Sequence, residues 1–389
     1  MQFLRKYLLL LFIVENLMAQ FRPLMAISAV LFYVILGLSL AVFFTESTHF
    51  KQFYKAFPFF YYLSLIILSY ELCFGFNAIS DRNLLYALSK IVSMMVIVLG
   101  VFYNFRFYFK DFLRPLGYII SLMLIYGVLT DSISFENEDL SRLYLGFGNQ
   151  NSTSEVGFIG FACVLFSYKR LNIIDVLCFL ICLYGTFAGG SRNSILMCFI
   201  VIIIRFGFSF KVIIAILLGY VAIVDILPSL GLRTVGLQRF IDTINGEMSN
   251  NRDMERKAAW MMIKQRPWTG WGFDAPNIGA AAKISELGSH STIIQLIKYL
   301  GYVFASFWFV AIIKSVYDVW FLLKRGNTYL KFHFAMVISI LIATLNEEYL
   351  IGIHEITTTM FFVSLGVLTN SSYLLKKRLS NENKSSIHN

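Results

Sequence analysis

The sequence predicts an all-α fold, a polytopic transmembrane bundle of about twelve helices, or eleven if the first apolar run does not span. Three observations carry this. Hydrophobic residues make up 58% of the 389-residue chain. Charged residues make up 14%, where a soluble domain carries about 25%, and the mean hydropathy is +0.69. The apolar residues also fall into discrete runs, several close to the roughly 20 residues that a membrane crossing needs. Together these exclude a soluble domain, disorder, collagen and a small disulfide scaffold. The whole chain, 1–389, reads as one transmembrane domain. A long extracytoplasmic loop, 229–289, lies within it, and the polar tail 379–389 is cytoplasmic and disordered by composition.

In chain order, residues 7–21 form the weakest run, because Glu15 and Asn16 interrupt it. It reads as a short span or as a helix lying at the interface. Runs 24–45 and 58–77 follow, separated by Lys51 and Lys55, and Asp81 and Arg82 then lead to 84–103. Arg106, Lys110 and Arg114 precede 115–130. An acidic loop around 132–154 leads to 156–168, Lys169 and Arg170 to 172–188, and the turn 189–193 to 194–204. Arg205 and Lys211 precede 212–227. The segment 229–289 leads to 291–313. Lys324, Arg325 and Lys331 precede 332–345, and Asn346–Glu348 leads to 349–368 before Lys376, Lys377 and Arg378. Basic and non-basic connections alternate, so the positive-inside rule puts the basic set in the cytoplasm. Twelve spans keep Arg5 and Lys6 on that side; eleven do not. No small-residue cleavage site follows the first run, so no cleavable signal is expected.

The net charge of +10 is therefore largely topological and does not call for nucleic acid. Cys73, Cys163, Cys178, Cys182 and Cys198 all lie in apolar runs and read as packing residues without a disulfide framework.

The 229–289 loop breaks the charge pattern, carrying Arg233, Arg239, Arg252, Arg256, Lys257, Lys264, Arg266 and Lys283. Long loops translocate regardless of charge, but an external cationic loop also suits an anionic ligand, and the Arg fork matches phosphate. Trp260, Trp268 and Trp271 lie in the same loop, where flat rings stack on sugars or settle at lipid headgroups. Residues 251–266 read as a helix stopped by Pro267, with Arg252, Arg256, Ala259 and Ile263 along one stripe, lying on the membrane surface. Of the five histidines, topology leaves His49, His333 and His388 in the cytoplasm. His290 stands where the loop enters the next span, and His354, near Glu347, Glu348 and Glu355, is the second candidate. Arg192 sits at the external membrane boundary, where an arginine is paired, faces an aqueous cavity or snorkels to the headgroups. Asp253 with Glu255, and Glu136 with Glu138, read as solvated charges, so no metal is expected. No P-loop or hydrolase motif is present, and no cofactor is expected.

These stretches together resemble the bacterial O-antigen ligase and O-antigen or capsule polymerase superfamily, the WaaL and Wzy proteins. Gly146-Phe147-Gly148-Asn149-Gln150-Asn151 is similar to the family's Gly/Asn loop, and Ala188-Gly189-Gly190-Ser191-Arg192-Asn193-Ser194 to its Ser-Arg turn. Arg256 with Trp260, then Pro267-Trp268-Thr269-Gly270-Trp271-Gly272, then His290 is similar to its long-loop pattern, with Ser291 where the family often has Asn. The match covers about residues 140–320. The resemblance implies a metal-independent glycosyltransferase of the bacterial cytoplasmic (inner) membrane, with its site facing outside. An undecaprenyl-diphosphate-linked glycan would be the donor and another the acceptor. The resemblance implies Arg192 and Arg256 on the diphosphate and His290 as a base or acceptor-positioning group. Arg252, Arg266, Trp260, Trp271 and Asn151 would line the substrate, and membrane lipids, a flippase and a chain-length regulator would be partners. A polymerase building O-antigen or capsular polysaccharide is expected first, and a ligase transferring finished glycan to a lipid is the alternative. A lipid-linked glycan transporter or flippase is the rival of another class. It would show two related halves or interrupted helices in matching positions, and the sequence suggests neither.

Overall fold

The structure is a computed structural model that describes residues 2–45, 50–107, 112–130, 143–167, 172–210, 214, 251–275, 290–325, 327–353 and 355–387. In chain order its helices are α1 (Gln2–Gln20), α2 (Met25–Thr45), α3 (Phe50–Ala56), α4 (Pro58–Phe74), α5 (Asn83–Phe107), α6 (Leu113–Thr130) and α7 (Gln150–Phe166). There follow α8 (Ile173–Ala188), α9 (Arg192–Phe206), α10 (Asn251–Gln265), α11 (Thr292–Val319), α12 (Leu322–Arg325), α13 (Thr328–Ala343) and α14 (Ile356–Ile387). Among the described residues, extended pairing is confined to an isolated bridge between Phe21 and Phe147. Five segments there are long and apolar enough to cross a membrane: Arg22–Thr45, Pro58–Asn77, Asn83–Asn104, Leu113–Thr130 and Thr292–Lys324. α8 and α13 are apolar but shorter. The chain is an all-helical membrane bundle. Apart from residue 214, the expected run 212–227 lies outside the described residues, as does most of the long loop, with Arg233, Arg239 and Lys283.

The polar interruption in α1 is resolved by packing. Glu15 and Asn16 are buried, and burial of such groups is tolerable only when they are hydrogen-bonded. Ser28 Oγ donates to Glu15 Oε1 at 2.8 Å, Asn16 Nδ2 to Glu15 Oε2 at 2.9 Å, and Thr359 Oγ1 to Asn16 Oδ1 at 2.8 Å. The remaining core of the helix, Leu8, Leu9, Phe12, Ile13 and Leu17, is buried against α2, α5 and α14.

α7 is the central helix, buried on every face from Thr153 to Phe166. Small residues let its neighbours close in. A Cβ at Gly157 would sit 2.5 Å from the Thr186 nitrogen of α8, and one at Gly160 would press on Cys182 and Ile120. Gly157→Leu is therefore expected to lower stability by about 1–3 kcal/mol through overpacking, read as an earlier thermal midpoint of the solubilised chain. At the far end of α8, Asn172 and Asp175 form a capping box, and Asp175 also takes Arg114 and, at 2.6 Å, the Tyr118 hydroxyl. That cluster pins α6 to α8.

Hydropathy misplaces several helix ends because caps, not apolarity, set them. Asn149 starts α7 six residues before the apolar run begins at Val156, and Asn327 starts α13 by accepting from Leu330 N at 3.0 Å. α14 begins at Ile356, not at residue 349, because Leu350 has φ 70° and the chain turns there. It continues to Ile387, through the polar residues for which composition alone predicts disorder.

Candidate functional site

The helix α10 forms as its sequence predicts, ending before Pro267. Its buried face is Glu255, Ala258, Ala259, Met262 and Ile263, packed toward α11. Glu255, expected to be a solvated charge, is instead 3% exposed. It is in phase with the four apolar residues at helical spacing. His290 explains its burial, with Nε2 standing 3.0 Å from Glu255 Oε2. His290 lies just before α11 with φ 49°, a conformation that non-glycine residues adopt only where the surroundings over-determine it. Its own N–H donates to Glu348 Oε1 at 2.9 Å.

The other ring nitrogen, Nδ1, lies 3.6 Å from Glu347 Oε2, beyond hydrogen-bond range. Glu347 is held by Asn193 Nδ2, which donates to its Oε1 at 3.1 Å. Its backbone carbonyl accepts from Thr292 N at 3.0 Å and Thr292 Oγ1 at 2.8 Å, so the turn carrying Glu347 is latched to the start of α11. Asn193 is the second residue of α9, directly after Arg192, and Ser191 caps this helix. The Ser191 N–H donates to Ser154 Oγ at 3.0 Å, bringing the turn before Arg192 onto the first turns of α7, where Asn151 lies. One residue on, buried Glu155 accepts from Tyr349 OH at 3.2 Å and Thr357 Oγ1 at 3.0 Å. Arg256 Nη2 donates to Asn346 Oδ1 at 3.2 Å, and its buried Nε has no hydrogen-bond partner among the described residues. The same holds for Ser194 Oγ on α9 and Gln295 Oε1 on α11.

His290, Arg256, Arg192 and Asn151 are thus carried by elements that meet at one end of the bundle. Glu255, Glu347, Glu348 and Asn193 join them. The helical phase of Glu255 was available in the sequence, but nothing local announced the pairing of Asn193 with Glu347.

Three expected substrate contacts have protein partners of their own or lie away from the Glu255 face. Arg266 lies over the Trp271 ring at 4.1 Å and donates from Nη1 to Asn77 O at 2.8 Å. Trp271 Nε1 donates to Met262 O at 2.8 Å, and its backbone N–H and that of Gly272 donate to Lys298 O and Tyr299 O, both at 3.0 Å. Those carbonyls are freed by a break in α11 at Gly301, φ 69°, and Tyr302 N closes the junction on Pro267 O at 2.8 Å. The Pro267–Gly272 turn is thus a backbone plug in an interrupted helix. Trp260 lies about 140° around α10 from Glu255 and is exposed. Arg252 is in the first turn of α10, and its side chain lies outside what the structure describes, as do His49, His354 and His388. His333 is buried among Phe112, Tyr329 and Phe332, bonded to Ser364 at 3.0 Å.

Glu255 and Glu347 face opposite nitrogens of one imidazole, so they do not converge on a common point. Among the described residues no group of three or more His, Cys, Asp or Glu side chains is arranged to hold a metal ion. No protein-family model matches the chain, and no curated protein matches it.

Proposed function

We propose that the chain is a membrane glycosyltransferase that polymerises undecaprenyl-diphosphate-linked repeat units on the outer face of the bacterial cytoplasmic membrane, within a bundle of about twelve spans. The observation that carries this reading is the meeting of His290 with Glu255 on one side and Glu347 on the other, next to Arg256 and the Arg192 turn. In the reaction, a hydroxyl of the next lipid-linked unit attacks the anomeric carbon of the growing chain. The bond from that carbon to the diphosphate oxygen breaks, and undecaprenyl diphosphate leaves. The hydroxyl proton passes to His290. The Glu255 carboxylate, with Oε2 3.0 Å from Nε2, favours the proton on that nitrogen and leaves the Nδ1 lone pair as the base. Glu347, 3.6 Å from Nδ1, then faces the imidazolium. Arg256 and Arg192 stabilise the charge that develops on the departing diphosphate. The energy resides in the diphosphate link.

Arg256→Lys keeps the charge and loses the fork. It is expected to cost about 2–4 kcal/mol of transition-state stabilisation, roughly 30-fold to 1000-fold in rate, at unchanged membrane abundance. Polymer ladder intensity in cells, normalised to the membrane level of the chain, reads this. A wild-type ladder from the lysine variant would make the Arg256–Asn346 contact merely structural.

The interrupted helix α11 is a feature of the transporter reading. It weighs little here, because the loop's own backbone takes the Lys298 and Tyr299 carbonyls and leaves neither to coordinate a cargo ion. Purified chain supplied with lipid-linked repeat unit separates the three readings. A polymerase gives a ladder, a ligase gives transfer only to a lipid or other acceptor, and a transporter joins nothing.

A further inference from the structure

α10 has a second face that the His290 site does not use. Lys257, Trp260, Met261, Lys264 and Gln265 are exposed and lie within an arc of about 140° around the helix, opposite the buried Glu255 face. Trp268, 66% exposed, follows on the plug and packs edge-on against Tyr302 at 6.2 Å. Among the described side chains of this face none is a carboxylate; Asp253, four residues before Lys257 and in phase with it, has its side chain outside what the structure describes.

Tyr302 is also where the outward surface of α11 changes. Before the break, residues 292–300 contain no exposed residue. After it, Val303, Phe307, Val310 and Ile313 form an exposed apolar stripe, which the solvent-accessible Lys314–Asp318 ion pair interrupts on the way to Tyr317 and Trp320. From Tyr302 to Ile313 the helix rises about 17 Å, a little over half of the roughly 30 Å of a bilayer's hydrocarbon core. Trp268 stands at the start of the stripe, as tryptophans stand at membrane–water interfaces. The level of Trp268 is therefore the edge of the hydrocarbon.

We propose that the Lys257–Trp260–Met261–Lys264–Trp268 face of α10 is a binding surface for anionic phospholipid headgroups. It seats α10 in the headgroup layer while the opposite face presents Glu255 to His290. Continuity with the lipid-facing stripe of α11, together with the exposed lysines and tryptophans, selects this occupant over a protein. The proposal does not depend on the glycosyltransferase reading.

The test uses the full chain in nanodiscs of phosphatidylcholine, with or without phosphatidylglycerol. It carries an environment-sensitive fluorophore on Met261→Cys in a Cys73→Ser background, the other four cysteines being buried. Lipid brominated near the headgroup should quench the label strongly, aqueous iodide weakly, and phosphatidylglycerol should shift its emission to the blue. In Lys257→Gln/Lys264→Gln the phosphatidylglycerol fraction giving half of that shift should rise by about fivefold or more, since each lysine near an anionic surface contributes about that factor. Strong iodide quenching without bromine quenching would overturn the proposal by showing a water-facing helix. Shielding from both quenchers in discs that hold two copies would overturn it in favour of a contact between copies. An unchanged half-point in the double lysine variant would remove the anionic selectivity on which the proposal stands.

Discussion

His290→Ala is expected to reduce polymer formation by roughly 100-fold to 10,000-fold, the range that a positioned general base contributes. The loss should fall on turnover and leave donor affinity nearly unchanged, because the imidazole serves the acceptor and the arginines serve the diphosphate. Glu255→Gln should give an intermediate loss, since glutamine keeps the shape beside Nε2 but no longer carries the charge that faces the ring. Abundance should stay at the wild-type level, as His290 lies at the end of the bundle with 22% of its side chain exposed. Single-turnover transfer, with donor binding measured separately on the same variants, distinguishes these outcomes. A His290→Ala chain that binds donor poorly and transfers normally once saturated would assign His290 to binding.

The largest effect on stability is expected at Gly301. Alanine there carries a left-handed strain of about 1–2 kcal/mol, and its Cβ would overlap the Trp268 carbonyl. Relieving the overlap pulls apart the junction made by Trp271, Gly272 and Tyr302, three backbone bonds of about 1 kcal/mol each. The chain should lose most of its monodisperse yield after solubilisation. Gly270→Ala should behave alike, because its Cβ would overlap the Tyr299 carbonyl at the other side of the same junction. Gly37→Ala is the control, since a Cβ there meets nothing within 4 Å. A Gly301→Ala chain with the melting profile of the control would show that the plug is not a rigid joint.

The all-helical membrane architecture was legible because apolar runs dominate the composition, and α10 was legible because Pro267 ends it. Two helix starts were not, because Asn149 and Asn327 act one residue at a time and leave no trace in hydropathy, whereas the run expected from Asn172 coincides with α8. For the site, His290, Arg256 and Arg192 stand out in sequence as polar groups at the margins of apolar runs, and the fold brings their elements together. Glu255 was read as a solvated charge because no histidine joins it at ligand spacing in the sequence, and its partner His290 comes from a distant element. The buried face runs through Glu255, Ala258 and Met262. Trp271 and Arg266 look like sugar and phosphate contacts when read locally. Their actual partners, Met262, Asn77 and the broken turn of α11, are unpredictable without the long-range pairing at Gly301, a lone glycine in an apolar run.

The most direct measurement is polymerisation by the purified, reconstituted chain. It would be supplied only with an undecaprenyl-diphosphate-linked repeat unit and a chelator, with His290→Ala and Arg256→Lys run at equal folded amounts. Wild-type protein should extend the unit into a ladder, and the two variants should not. A folded wild-type chain that joins no units, or a His290→Ala chain with the wild-type ladder, would contradict the assignment of glycosyl transfer to this group of residues.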